Sequence, residues 1–307
     1  MAILLMSWQE GLKRVTKGKI SFGEPLKSRC TFKIGGTAKV WVEPKDKEDL
    51  KIILRFFTKI GMPVFVIGGG SNILFNDGLI EGIIIHLGSC YFRRIIFKGD
   101  LVKAGSGVSL AKLIQKAKEE NLGGCEHLFG IPGTVGGALS MNAGISLNSC
   151  QLDIGSLVSE VEVMDYNGNI HILEKEDLKF DYRSSNLNRF VIVSATLRLK
   201  KSSPLEITSE ISRIKDMRAA SHGYPKASAG CIFKNPKRGL SAGFLIERCG
   251  LKGARVGDAQ ISSSHANFIL NVGNARASNV INLMALTRRL VKKRFNLDLE
   301  QEVRIVG

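Results

Sequence analysis

Apolar and polar positions along this chain repeat with two periods. Over residues 46–59, Leu50, Ile53, Leu54 and Phe57 recur at three- and four-residue spacing. That spacing predicts an amphipathic helix, which Gly61 and Pro63 end. Val64-Phe65-Val66-Ile67 is a short continuous apolar run, the pattern of a buried strand, and it leads directly into three glycines. Ser109 stands before Leu110, Leu113, Ile114 and Ala117 and predicts an N-capped helix that residues 121–124 stop. Residues 158–165 and 170–173 flank Asn167-Gly168, a strong hairpin signal, and residues 191–199 read as another strand. The pattern changes near Ser202-Ser203-Pro204, which marks a domain boundary. Ile207, Ile211 and Ile214 then mark a helix, followed by a polar stretch over residues 218–229. One more helix opens at Ser241. Another covers about 278–295, with Val280, Leu283, Met284, Leu290 and Val291 on one face. Strands and helices are mixed rather than strictly alternating, so the expected class is α+β and not a doubly wound sheet.

Composition narrows the class. At 307 residues the chain can bury a sizeable core in two or three domains. No apolar run reaches the roughly 18 residues of a membrane span. Ala2 to Met6 is apolar but lacks a basic flank and the length of a signal-peptide core, so a cytoplasmic protein without membrane contact is expected. The six cysteines are scattered, with no C-x-x-C pair, which argues against a zinc ribbon or any metal site and for reduced thiols. The formal charge of +16 favours anionic partners. The basic residues are dispersed and aromatics are 7%, with no nucleic-acid-binding pattern, so nucleic acid is not the expected partner. A nucleotide diphosphate suits the charge, and so does a merely lysine-rich background.

The glycine clusters carry candidate chemistry. Gly68-Gly69-Gly70-Ser71-Asn72 follows the buried strand but has Ile73 where a dinucleotide fingerprint needs its third glycine, and Gly105-Ser106-Gly107 fails in the same way at Leu110. No P-loop is present. Consecutive glycines still let main-chain N–H groups form an anion nest. A pyrophosphate cradle and a bare strand-end turn are equal readings of this segment by itself. Residues 130–139, from Gly130-Ile131-Pro132-Gly133 to Leu139, form a second such loop, followed by Met141-Asn142-Ala143-Gly144. Thr31-Phe32-Lys33-Ile34-Gly35-Gly36 is a third element. Three segments before residue 145 suggest one extended cofactor across one domain.

In order, T-F-K-I-G-G, G-G-G-S-N-I-L, G-S-G-V-S-L, G-I-P-G-T-V-G-G-A and N-A-G resemble the FAD-binding half of the vanillyl-alcohol oxidase-like flavoproteins. With Ala229-Gly230-Cys231-Ile232-Phe233-Lys234-Asn235-Pro236, Tyr182-Arg183 and the terminal Glu302-Val303-Arg304, the chain resembles the UDP-N-acetylenolpyruvoylglucosamine reductase family, in its shorter second type. The resemblance runs from about Cys30 to the C-terminus. It implies a two-part FAD-binding region, 1–88 and 89–202, and an α+β substrate-binding domain, 203–307. The implied cofactors are non-covalent FAD and NADPH, and the implied substrate is UDP-N-acetylglucosamine-enolpyruvate, reduced to UDP-N-acetylmuramate for peptidoglycan by a monomeric enzyme. Ile67, Gly68, Gly69, Gly70, Ser71, Asn72, Gly130, Pro132, Gly133, Thr134, Gly136, Gly137, Asn142 and Gly144 would bind FAD. The alternative is another FAD-dependent oxidase or dehydrogenase of the same fold, which accounts for the glycine loops but not for the residues that follow.

Three residues would carry the reaction. The family places a serine proton donor where this chain has Cys231. With a reference pKa near ~8.5 a thiol is mostly protonated at neutral pH and can donate. Arg183, in Y-R-x-S, would hold the enolpyruvyl carboxylate and stabilise the enolate, since a guanidinium stays charged and binds carboxylates bidentately. Its plainer reading is an ion pair with Asp181. Glu302 would act on the developing enol acid, and spacing alone does not separate it from Glu300. Tyr182, Lys234 and Asn235 would contact the substrate. His265 is open between a satisfied core histidine and a catalytic one. Ser264 stands where relatives often have lysine, which removes an expected phosphate contact.

Overall fold

The computed structural model describes residues 7–147, 150–222, 227–236 and 239–307. The apolar stretch Ala2 to Met6 and part of the polar stretch, residues 223–226, lie outside the described residues. Helices along the chain are α1 (Trp8–Val15), α2 (Lys47–Lys59), α3 (Leu110–Glu119), α4 (Val135–Met141), α5 (Pro204–His222), α6 (Ala242–Arg248) and α7 (Ala277–Phe295). Among them, none is long and apolar enough to cross a membrane. Cys30, Cys90, Cys125, Cys231 and Cys249 are free thiols.

The chain forms two compact units, and neither is one continuous stretch. The first comprises Met1–Glu24, Lys39–Gly68 and Glu81–Ile211; the second comprises Pro25–Ala38, Gly69–Ile80 and Ser212–Gly307. This differs from a linear division at residues 88 and 202. The reason is hydrogen bonding: strand Ile73–Phe75 pairs in parallel with Arg304–Val306 at the chain end, in register Ile73 to Arg304 and Phe75 to Val306. That pairing assigns the glycine-loop segment to the second unit.

In the first unit a four-stranded sheet has the order Lys19–Pro25, Thr37–Glu43, Leu79–His86, Val64–Ile67. The last two strands are parallel, with Val64 opposite Ile83. Helix α2 starts at the Asp46 cap, whose side chain accepts Asp49 N–H, and Leu50, Ile53, Leu54 and Phe57 are fully buried as the spacing predicts. They share a core with Val40, Val42, Ile83, Ile85, Val191 and Val193. An antiparallel five-stranded sheet follows, in the order Ile170–Glu174, Val158–Met164, Val191–Arg198, Leu101–Gly105, Ile95–Lys98. Its core takes Leu110, Leu113, Ile114 and Ala117 of α3 and Val135, Ala138 and Leu139 of α4. Ser109 caps α3 through Lys112 N–H.

Two expectations change. Residues 130–139 are not loop throughout, because α4 starts at Val135. Thr134 caps it, and burial of Val135, Ala138 and Leu139 outweighs the poor helix propensity of two glycines. The helix marked by Ile207, Ile211 and Ile214 runs into the polar stretch 218–229, since α5 continues to His222.

The second unit holds the antiparallel sheet Arg255–Val256, Ala259–Ile261, Ile269–Asn271, with α6 and α7. On α7, Val280, Leu283, Met284 and Val291 are buried as expected. Leu290 is only half-buried, and Thr287 joins the buried face, its hydroxyl donating to Leu283 O at 2.8 Å. The two N–H groups opening α7, of Ala277 and Ser278, are accepted by the Asp77 carboxylate at 2.9 and 3.1 Å.

One buried charge ties α2 to the five-stranded sheet. Glu162 is 9% exposed and accepts from Lys47 Nζ at 2.5 Å and Ser194 Oγ at 3.1 Å, with Lys103 Nζ at 3.5 Å. Burial by itself would raise the carboxyl's pKa. The Lys47 ammonium, Ser194 and Lys103 together outweigh it and hold the carboxyl below its ordinary range. The folded-state value lies below the unfolded one, so this contribution is complete above the unfolded carboxylate range near ~4.3 and is lost as pH falls through the folded value. Glu162→Gln is expected to cost about 1–3 kcal/mol at neutral pH, read as a lowered thermal midpoint. The gap between variant and wild type should close as the pH drops below about 4. A gap independent of pH would assign the effect to packing instead.

Candidate active site

The candidate residues fall into two sets, one in each unit. In the first unit, Ile67 and Gly68 end strand Val64–Ile67. A side chain at Gly68 would place its Cβ 2.4 Å from Thr134 Oγ1, so the strand end closely approaches the start of α4. Gly136 N–H donates to Ser106 O at 2.9 Å, and a Cβ there would lie 2.8 Å from Ser106 Cβ. At Gly137 the Cβ position meets only Thr134 Oγ1, at 3.6 Å. Packing does not demand glycine at 137, but a ligand lying against the first turn of α4 would. Gly130 and Pro132 are exposed, and Gly133 O accepts Leu110 N–H at 3.1 Å.

The same unit gathers Asn142, Gly144, Tyr182 and Arg183. Tyr182-Arg183 is the two-residue connection between strands Phe180–Asp181 and Ser184–Ser185. Arg183 has φ of 52°, the left-handed backbone that lets so short a connection close. Its Nη2 donates to Gly144 O at 2.8 Å, and its guanidinium lies 5.0 Å from the Tyr182 ring centroid. The Asp181 carboxylate accepts Tyr182 N–H at 2.7 Å. Asn142, 3% exposed, ends α4; it donates to Asp181 O and accepts Gly155 N–H, both at 3.1 Å. Its amide therefore supports the arginine turn.

In the second unit, backbone hydrogen bonds join the segment carrying Cys231 to the segment carrying Glu302. Ile232 O accepts Glu302 N–H at 2.8 Å, and Ile232 N–H donates to Asn267 O at 2.9 Å. Cys231 bridges Phe268, and Phe233 bridges Gln301, as isolated antiparallel pairs. Gly230, just before the cysteine, has φ of 75°, a conformation that favours glycine. Asn72 of the glycine loop clamps the chain end: its Nδ2 donates to Glu302 O at 3.1 Å, and its own carbonyl accepts Arg304 N–H at 2.9 Å. Gly70 O accepts Thr31 N–H at 3.1 Å, while Thr31 Oγ1 donates to Ser228 O at 2.6 Å. Gly69 is exposed and Ser71 half-buried beside them.

The two glutamates now differ. Glu300 pairs with Lys234 Nζ at 2.6 Å and is 72% exposed, whereas Glu302 is half-buried. Asn235 Oδ1 accepts the N–H of Ala242 at the start of α6, at 3.0 Å. His265 Nδ1 accepts Asn267 N–H at 3.2 Å, which places its proton on Nε2. Burial keeps the ring below its usual pKa, so it is neutral at pH 7. Its ring edge packs on Phe268.

Two residues that organise this half were not singled out from sequence. Thr31 reads only as the start of a glycine-bearing motif. Asn267 is hidden beside the more conspicuous His265. A lone polar residue between apolar neighbours, as in Ala266-Asn267-Phe268, was the available signal.

Comparison with known proteins places these halves. Residues 222–306 match the family model "UDP-N-acetylenolpyruvoylglucosamine reductase, C-terminal domain", and residues 38–174 match "FAD binding domain". The chain is 39% identical over 300 residues to the UDP-N-acetylenolpyruvoylglucosamine reductase of Desulforamulus reducens, covering 96% of each. It is 38% identical over 300 residues to that of Moorella thermoacetica, covering 97% of this chain and 96% of the relative. The crystal structure of the reductase from Thermus caldophilus superposes with a TM-score of 0.79 at 35% identity, over 95% of this chain and 99% of that one. The open cradle at Gly137 lies inside the matched FAD-binding region, and Cys231 and Glu302 lie inside the matched C-terminal one. On these matches, the chain belongs to the UDP-N-acetylenolpyruvoylglucosamine reductase family.

Proposed function

We propose that the protein reduces UDP-N-acetylglucosamine-enolpyruvate to UDP-N-acetylmuramate with NADPH as reductant and FAD as cofactor, as a cytoplasmic monomer. The observation that carries this reading is the backbone bond from Glu302 N–H to Ile232 O, which ties the segment bearing the Cys231 thiol to the segment bearing the half-buried Glu302 within the reductase C-terminal region. An oxidase of the same fold needs no such pair.

FAD, when bound, would supply the transfer of hydride from NADPH to the enolpyruvyl C3. The chain's own residues do the remainder. The first turn of α4, opened at Gly137, would take the cofactor, and main-chain N–H groups of the loop from Gly68 to Asn72 would suit its pyrophosphate. Arg183, fixed by Gly144 O and Tyr182, binds the substrate carboxylate and opposes the negative charge that grows on it as C2 becomes carbanionic. Cys231 Sγ–H then gives its proton to C2: the S–H bond breaks, the C2–H bond forms, and the thiolate regains a proton from water. Glu302 hydrogen-bonds the enol acid. Lys234, Asn235 and Tyr182 bind the nucleotide-sugar portion.

The test is anaerobic NADPH oxidation by the FAD-loaded protein with and without the enolpyruvyl substrate. Strictly substrate-dependent turnover is expected, and a yellow protein indifferent to this substrate overturns the reading. In the same assay Cys231→Ser should keep substantial activity. Cys231→Ala should lose roughly 10²–10⁴-fold in the substrate half-reaction while NADPH still bleaches the flavin. Arg183→Ala should lower turnover more than it weakens UDP binding, because its charge matters most in the transition state. Equal loss of both half-reactions in the alanine variant at Cys231 would remove it as proton donor.

Filling the cradle gives a separate check on the cofactor half. Gly137→Leu should weaken FAD retention by about tenfold or more, because the side chain occupies ligand space. The melting temperature of the FAD-free protein should not fall, since leucine favours helix over glycine by about 0.8 kcal/mol. Unchanged FAD affinity, titrated by flavin fluorescence, would place the cofactor elsewhere. Light scattering reads the oligomeric state directly, and a mass above one chain contradicts the monomer.

A further inference from the structure

Asn267 is 3% exposed and makes bonds on every side. Its Oδ1 accepts Phe233 N–H at 3.0 Å and its Nδ2 donates to Phe233 O at 2.8 Å. The side chain thus acts as a strand partner, filling both hydrogen-bond positions of one residue. Its own carbonyl accepts Ile232 N–H at 2.9 Å, and its N–H donates to His265 Nδ1 at 3.2 Å. On the far side of the same short arm, Ile232 O accepts Glu302 N–H, and Lys234 N–H donates to Glu300 O, both at 2.8 Å. The arm Cys231-Ile232-Phe233 belongs to no regular sheet. Its register against the chain end is set by the Phe233–Gln301 bridge and those two backbone bonds, and its register against residues 267–268 by the Cys231–Phe268 bridge and this one amide.

We propose that Asn267 is a positioning residue that fixes Cys231 relative to Glu302, so that the thiol proton and the carboxyl address one substrate carbon and its carboxylate together. The proposal rests on the function given above. Only an amide matches the demand. The arm presents an N–H and a C=O side by side, so the partner must accept through one atom and donate through its twin. Serine offers one atom, and leucine offers none. Aspartate accepts Phe233 N–H but meets Phe233 O with a second oxygen. Ionised, it repels that carbonyl; protonated, its O–H restores the amide's pattern.

Substitution by aspartate therefore turns positioning into a pH-dependent quantity. The new carboxyl is buried against a carbonyl oxygen, and both effects favour its protonated form at higher pH than an ordinary carboxylate. Among the described residues, the charged or titratable groups around it include His265 and Cys231 on the adjoining segments, the Glu247–Lys252 pair beside α6, whose Gly243 approaches Asn267, Glu302 and the Lys234–Glu300 pair along the arm, and Arg288 of α7 over the Phe233 ring at 5.5 Å. All are present in wild type, so the ratio of variant to wild type at each pH isolates position 267.

The experiment measures both half-reactions of FAD-loaded wild type, Asn267→Asp and Asn267→Ser between about pH 5.5 and about pH 8, a span chosen to cross a raised carboxyl pKa. Flavin reduction by NADPH should stay within about twofold of wild type in both variants, because the amide acts only on proton delivery. Flavin reoxidation by the enolpyruvyl substrate should fall about 30-fold in Asn267→Asp at the alkaline end, as expected for losing a buried hydrogen bond that holds reacting groups. That loss should shrink steadily towards the acid end, whereas the serine variant stays impaired at every pH. Reoxidation by the aspartate variant equal to wild type throughout would overturn the assignment. So would equal, pH-independent loss of both half-reactions with a lowered melting temperature, which is the mark of a merely structural amide. A wild-type protein that binds FAD and oxidises NADPH but never consumes the substrate overturns the proposed function itself, and the assignment with it.

Discussion

The second unit depends on one parallel pairing, between Ile73–Phe75 and Arg304–Val306. Its three segments are far apart in sequence, and closing so long a loop costs entropy that only a well-buried contact offsets. Leu74, Phe75 and Val306 supply that burial, with relative exposures of 3% or less. The strand just after the glycine loop is thereby fixed to the strand just after Glu302. Asn72 reinforces the junction from the loop side by bonding residues 302 and 304. The candidate cofactor loop and the segment carrying a candidate catalytic carboxyl are thus joined by hydrogen bonds.

The same unit shows how an irregular segment can be made rigid. The arm carrying Cys231 has no neighbouring strand along its length. Its polar groups go instead to Asn267, to the backbone of residues 300–302, and through Thr31 to Ser228 just upstream. Buried backbone groups must find partners, so an arm without a sheet recruits side chains as substitutes. Arg183 in the first unit follows a similar plan, since its guanidinium and the turn beneath it are anchored by Gly144 and Asn142. Each reacting side chain considered for the chemistry therefore rests on a polar support that is itself buried or backbone-bound.

Much of this was legible one element at a time. Helix α2, the strand Val64–Ile67, the Ser109 cap, the hairpin at Asn167-Gly168 and most of the buried face of α7 follow from periodicity and turn chemistry within a few residues. Helix α4 did not, because its glycines speak against helix and only the core around Val135 and Leu139 overrides them. Thr287 was missed on α7 because a hydroxyl that satisfies itself on the preceding turn packs like an apolar group. Glu300 and Glu302 are indistinguishable by spacing. They separate only when the fold gives one a lysine at the surface and the other a half-buried place beside Ile232.

The sequence by itself determined most of the local elements and the α+β class, and it singled out the glycine-rich segments as candidate cofactor contacts and Cys231, Arg183 and Glu302 as candidate catalytic residues, because these depend on residue type and short spacing. The tertiary structure alone decided that residues 69–80 leave the first unit for the second, that Gly137 stands open while Gly68 and Gly136 are filled by their neighbours, and that Asn267 supports the cysteine arm. Each of these depends on which distant backbone supplies a hydrogen bond or occupies a volume, and no periodicity along the chain encodes a partner some thirty to two hundred and thirty residues away.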